Sequence, residues 1–289
     1  MNARFGPAGT PESFAEMGYK KTLDIPEYLT QFGLTAFEYQ CGHGLRVNMD
    51  TIKKLGEFCA KKDIVLSLHT PYYISLSSVE EEKRQNSVGY ILESARIANH
   101  FGGSRIIVHS GSCGKLTREA ALGLARDTLK KAQQALDDNN LSHIHICPET
   151  MGKINQLGDL NEVMELCGVD ERFIPCVDFG HLNARTFGSI QSGEDYKAIL
   201  DTMEDAIGID RLKVFHSHFS KIEFTDKGGE KRHLTFADAG NFGPDFEPLA
   251  ELLAKRSLKP TIICESAGTQ AEDAAEMQKI YLSYLTTEE

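Results

Sequence analysis

The sequence predicts an α/β protein, a single (β/α)8 TIM barrel formed by residues 1–289. Three observations carry that expectation. Eight short apolar runs alternate with longer helical patterns, the element count of a closed barrel of parallel strands. The length of 289 residues suits one such barrel. No linker, low-complexity tract or short-period repeat divides the chain.

Each strand is a short apolar run bounded by turn residues, too short to be a helix. The first is Ala3-Arg4-Phe5-Gly6, followed by the loop Gly6–Pro11 and a weakly patterned helix. The second covers Leu34–Tyr39, the third Ile64–His69, the fourth Arg105–His109 and the fifth His143–Glu149. The sixth, Ile174-Pro175-Cys176-Val177-Asp178, stops at an acid, with His181 on the loop beyond it. The seventh is Lys213–His218 and the eighth Thr261–Glu265. Helical patterns lie between them, including Asp50–Lys62, Glu81–Phe101, Thr117–Asp138 and Ala271–Leu285. In the third of these, Ala121, Leu124, Ala125, Thr128 and Leu129 share one face, and Thr117 can cap the start. An open, doubly wound sheet is the runner-up. It would carry a Gly-rich phosphate loop after the first strand, and no G-x-G-x-x-G stands there.

Composition narrows the function classes. Hydrophobic residues make up 41% and charged residues 25%, as in soluble globular proteins. No apolar run approaches the ~20 residues that cross a bilayer, and the first residues lack the apolar segment of a signal peptide. Seven scattered cysteines without a C-x-x-C pair suit reduced thiols in a cytoplasm. A net charge of −11 argues against broad, non-specific binding of nucleic acid. It leaves room for a local contact with DNA around bound cations, each of which adds charge that the sequence count omits.

The chemistry gathers at strand ends. His69, His109, Glu149, Asp178, His216 and Glu265 each end or nearly end a strand, and His181 follows Asp178 by three residues. In a barrel all the strands are parallel, so their C-terminal ends meet at one mouth. A lone strand-end histidine is more often a hydrogen-bonded structural residue than a ligand. Such residues at six ends of eight, in a chain with ten histidines, form a stronger pattern. Buried together without a cation, the carboxylates would repel and the imidazoles would lose hydration. Mixed imidazole and carboxylate donors suit zinc, with manganese and iron as competitors.

Several segments resemble endonuclease IV, the abasic-site nuclease of the xylose isomerase-like TIM barrel superfamily. They are Leu68-His69-Thr70-Pro71-Tyr72-Tyr73-Ile74, Val108-His109-Ser110-Gly111-Ser112, and Pro148-Glu149-Thr150-Met151-Gly152 with Gln156-Leu157-Gly158. Val177-Asp178-Phe179-Gly180-His181, Leu212–His216, Lys231-Arg232-His233 and Cys264-Glu265-Ser266 continue the match. The resemblance implies two or three zinc ions. His69 and His109 would hold the first, with Glu149 bridging to a second completed by Asp178, His216 and Glu265. His181 and His233 would belong to the third. Glu149 and Glu265 would be the catalytic carboxylates, and Tyr72 would lie near the DNA.

Three departures stand out. The family has an acid two residues before the histidine matched to His233, and this chain has Lys231 there. An ammonium cannot coordinate zinc, so the third site is expected to be empty or weakly occupied, unless Glu230 or Asp226 substitutes or Lys231 supplies the charge itself. His218 lies on the same strand face as His216, so either can be the ligand, the other facing substrate. The cationic, Trp-bearing DNA loop of the family is missing: there is no Trp, and Cys41-Gly42-His43-Gly44-Leu45-Arg46 supplies one cation.

Two enzyme readings follow, with a non-enzymatic metal-binding protein as a third that no residue favours. One is a phosphodiesterase cutting DNA at abasic sites. The other is a sugar isomerase or epimerase of the same superfamily, in which Glu149, Asp178, His216 or His218, and Glu265 hold one divalent ion. His69, His109, His181 and His233 separate them, because a one-metal enzyme needs few of these.

Overall fold

A computed structural model describes residues 2–42 and 44–285; His43 of the second loop lies outside the described residues. Eight parallel strands form the barrel: β1 (Arg4–Pro7), β2 (Ala36–Gln40), β3 (Val65–His69), β4 (Arg105–His109), β5 (His145–Glu149), β6 (Cys176–Asp178), β7 (His216–Phe219) and β10 (Thr261–Cys264). Between the last two lies an antiparallel hairpin, β8 (Lys221–Thr225) and β9 (Gly229–Leu234), which was not among the elements expected from the sequence. The strand order is β1-β10-β7-β6-β5-β4-β3-β2, with parallel neighbours. It follows the chain without the reversal of a doubly wound sheet, and β1 returns to β2, which excludes that alternative.

The two ends of that order meet at a sparse seam. Thr35 donates its backbone N–H to Phe5 O at 3.0 Å and Gly9 donates to Glu38 O at 3.0 Å. At Gly6 the strands come so close that a Cβ would lie 1.8 Å from Ala36 O. Only glycine permits that approach, which is why this strand carries a weak apolar signature.

Helices surround the barrel. Their inward stripes bury Ile52, Leu55 and Cys59 of α3 (Met49–Lys61) and Ala121, Ala125 and Leu129 of α5 (Arg118–Asp138). Thr117 caps α5 as its sequence predicts, accepting from Ala120 N. The first βα connection folds into two short helices, α1 (Glu12–Glu16) and α2 (Ile25–Gln31). The remaining helices are α4 (Glu81–His100), α6 (Leu160–Cys167), α7 (Phe179–Arg185), α8 (Gly193–Leu212), α9 (Glu247–Lys255) and α10 (Gln270–Leu285).

Two boundaries move residues of the predicted site. His181 is on the first turn of α7 rather than on a loop, because Asp178 caps that helix by accepting from His181 N at 2.8 Å. The seventh strand begins at His216, not Lys213, since Lys213 terminates α8. His216 therefore opens its strand, and His218 lies nearer the mouth.

Candidate metal centre

Potential donors gather in four groups among the described residues: Cys176, His216 and His218 lie deeper in the bore, and three groups lie at the C-terminal ends of the strands. His69, His109 and Glu149 form one; Glu149, Asp178, His218 and Glu265 a second; His181, Glu230 and His233 a third. Within each group the ligand atoms lie within 4.8 Å of one another. Glu149, at the end of β5, belongs to two groups through different oxygens. Its Oε2 is 3.3 Å from His69 Nε2 and 3.5 Å from His109 Nε2, while Oε1 is 3.1 Å from His218 Nδ1.

The far side of each ring is anchored. His69 Nδ1 lies 2.9 Å from Thr70 O, and His181 Nδ1 lies 2.9 Å from Thr150 O. A carbonyl can only accept, so each Nδ1 carries a proton and Nε2 is the nitrogen each ring turns toward the cluster. Ser220 Oγ anchors His233 Nδ1 at 2.8 Å. Thr150 further ties β5 to β6, accepting from Asp178 N at 2.8 Å.

These residues fit divalent cations. Asp178 uses Oδ1 to cap α7, while its buried Oδ2 accepts no well-aligned hydrogen bond, lies 3.1 Å from His181 Nδ1 and faces Glu149, His218 and Glu265. A buried carboxylate oxygen without a well-made hydrogen bond is costly, and a cation would relieve that cost. Burial and the neighbouring Glu149 and Asp178 push the Glu265 carboxyl up, against the pull of His218 and His233. Burial drives the His109 imidazole down to about 3, leaving it neutral and able to ligate.

The third group depends on a β-bulge. In the hairpin Glu223 faces Arg232 but Phe224 faces Glu230, so Lys231 is an extra residue without a ladder partner. Residues three apart on a regular strand face opposite sides; the extra residue returns Glu230 and His233 to one side. Glu230 Oε2 then lies 3.6 Å from His181 Nε2, while Lys231 turns outward to pair with Glu223. Of the two acids offered above as substitutes, Glu230 is the one that joins His181 and His233, and Lys231 directs its charge at Glu223.

A correction concerns β7. His218, offered above as the alternative, is the residue beside Glu149, Asp178 and Glu265; His216 lies a layer deeper, its Nε2 3.0 Å from Glu38 Oε2. Glu38, fully buried on β2, is absent from the site expected from the sequence. Its signal was present, since an acid between Phe37 and Tyr39 in a strand buried on both faces must find partners.

Above the donors opens a cavity of about 1210 Å³. Tyr72, 57% exposed, lies over the rings of His69 and His109 with centroids 5.8 and 5.6 Å away. Arg46 and Lys153 line the same cavity, and neither pairs with an acid among the described residues. The wall at residues 151–156 is held by Arg185, which donates to the carbonyls of Met151, Lys153, Ile154 and Gln156.

Comparison with known proteins fits this architecture. Residues 26–281 match the family described as xylose isomerase-like TIM barrel, and the chain belongs to that family. It is 34% identical over 277 residues to an uncharacterized protein of Methanocaldococcus jannaschii, covering 96% of each chain. It is 29% identical over 213 residues to a Mycoplasma genitalium protein named "Probable endonuclease 4", covering 71% of this chain and 67% of the other. Among solved structures, a D-tagatose 3-epimerase-like protein superposes with TM-score 0.73 at 20% identity, over 99% of both chains. Endonuclease IV from Thermus thermophilus superposes with TM-score 0.65 at 19% identity, over 98% of this chain and 99% of that one. At such identities the structural likeness speaks for the fold alone. Among the described residues no helix is long and apolar enough to cross a membrane.

Proposed function

We propose that this protein is a zinc-dependent phosphodiesterase that cuts DNA on the 5′ side of abasic sites. The observation that carries the reading is the donor inventory. Besides the four-ligand group, His69 and His109 on one side and His181, Glu230 and His233 on the other stand ready around the same cavity. Bound divalent ions would supply an activated water and the positive charge that phosphodiester cleavage requires. The chain's own residues do the rest. Glu149 ties two groups together, and Glu265 faces the cavity with its side chain 17% exposed. Arg46 and Lys153 meet phosphate oxygens at the rim, and Tyr72 offers a flat face for a base or sugar. The curated relatives named "Probable endonuclease 4" support the same reading.

A sugar isomerase or epimerase is the second reading. It is favoured by one observation: Glu149, Asp178, His218 and Glu265 are by themselves a complete site for one ion, with two glutamates placed to exchange a proton with a ketose. Elemental analysis of protein purified without chelator, with assays on an abasic-site duplex and on ketoses, separates the two. Two or three zinc ions per chain and cleavage that Glu149→Gln abolishes bear out the first. One manganese or cobalt ion per chain with ketose epimerisation overturns it.

A further inference from the structure

Beneath the four-ligand group lies a second polar layer, inside a barrel bore that is ordinarily filled with branched apolar side chains. Its centre is Glu38, which is fully buried. Oε2 accepts from Ser67 Oγ at 2.8 Å and lies 3.0 Å from His216 Nε2. Oε1 accepts from Gln40 Nε2 at 3.2 Å and lies 2.9 Å from His218 Nε2, an ion-pair approach somewhat off the hydrogen-bond line.

His218 is turned the opposite way from its neighbours. His69 and His181 anchor Nδ1 on carbonyls and present Nε2. His218 presents Nδ1, 3.1 Å from Glu149 and 3.5 Å from Glu265, and points Nε2 down at Glu38. Among the described residues no backbone carbonyl accepts from that nitrogen. The Cys176 thiol also lies beside the ring, and a thiol is only a weak acceptor.

We propose that Glu38 is a positioning residue of the four-ligand site: it fixes His218 with the proton on Nε2, so that Nδ1 is the metal donor. The carboxylate also makes that donor more basic, as partners behind metal-bound histidines do. Ser67, Gln40 and His216 hold Glu38 in place from the other sides. The inference rests on the reading that Glu149, Asp178, His218 and Glu265 hold a divalent ion.

The test is a Co²⁺ titration of the metal-free, full-length protein against a competing chelator, followed by visible absorption. Asp178→Asn identifies which ion occupies the four-ligand site. Glu38→Gln should weaken that ion about 10–100-fold and leave the others unchanged, a selectivity that general loss of structure would not produce. Unchanged affinity at that site in Glu38→Gln overturns the proposal. A second measurement needs no variant of Glu38. Long-range ¹H–¹⁵N NMR of the Zn²⁺-loaded wild type should show His218 protonated at Nε2, and a proton on Nδ1 overturns the assignment. Wild-type Co²⁺ uptake that ignores Asp178→Asn overturns the metal reading itself, and this inference with it.

Discussion

A methyl group added at Gly152 would sit 2.6 Å from Glu230 Cβ, 2.8 Å from its Oε2 and 3.0 Å from His181 Cδ2. Contacts that short force a shift, and here two donors of the third group would move. Gly152→Ala should therefore cost one bound zinc per chain and leave the ions near Glu149 in place, as read by elemental analysis. Lys231→Asp, whose side chain points outward toward Glu223, should add no ion; an extra tight zinc in that variant would contradict the role given to Glu230. At this scale the sequence was legible wherever a donor stood at a strand end, as His69, His109, Glu149 and Asp178 do. It was not legible where one residue of register decided. His216 and His218 differ only in where β7 begins, and Glu230 is aimed by a bulge that no local pattern announces. Glu38 stands in mid-strand, and its histidine partners come from across the bore, where no local pattern can place them.

Among the elements, α6 and the loop before it show how the cavity wall is fixed. Asp159 and Glu162 form a capping box, and Glu162 also accepts from Gly158 N at 2.7 Å and binds Arg118 through both oxygens. Arg118 in turn donates to the carbonyls of Ile154 and Gln156, opposite the hold of Arg185. Burial pushes the Glu162 carboxyl up, but the Arg118 guanidinium and the N–H groups of Asp159 and Gly158 outweigh it and hold it below the ordinary range. A folded value below the unfolded one gives stability that is present at neutral pH and lost as pH falls through the folded value, below about 4.3. Glu162→Gln should thus cost about 2 kcal/mol at pH 7, with the deficit shrinking as the pH falls below the ordinary glutamate value of about 4.3 and wild-type Glu162 itself becomes protonated; urea unfolding across that range measures it. Helices were the best read elements, since α4, α5 and α10 follow their periodic patterns to within a residue at each end. The hairpin was missed because β9 reads Gly-Glu-Lys-Arg-His-Leu, five of whose six residues are polar or glycine.

For the whole molecule, closure depends on β1, which joins β10 by a full ladder and β2 by only a few bonds. Deleting residues 1–10 removes that strand and exposes the inner edges of β2 and β10. If the 289 residues unfold as one domain, calorimetry should show a single transition in the intact chain and none in the deletion. Two well-separated transitions would assign part of the chain to an independent unit. Electrostatics acts at the same scale. With a net charge of −11 the body repels DNA, so the DNA binding proposed above would rest on bound ions and the few cations at the mouth. Arg46→Ala and Lys153→Ala should each reduce the salt dependence of abasic-duplex cleavage by a slope of about 1. A ketose substrate would show no such slope.

The contact between Glu38 and His216 spans the bore. Along the order of the sheet, β2 and β7 are five strand spacings apart, roughly 24 Å at ~4.8 Å each if the sheet lay flat. Curled into the barrel, their side chains meet at 3.0 Å. The pair is thus a strut whose length is set by circumference, and it cannot form in a strip that has not yet rolled up. Since His218 leans on the same carboxylate, the floor of the metal site is finished only when the cylinder is. Uptake of an ion by the four-ligand group would then report closure of the barrel itself.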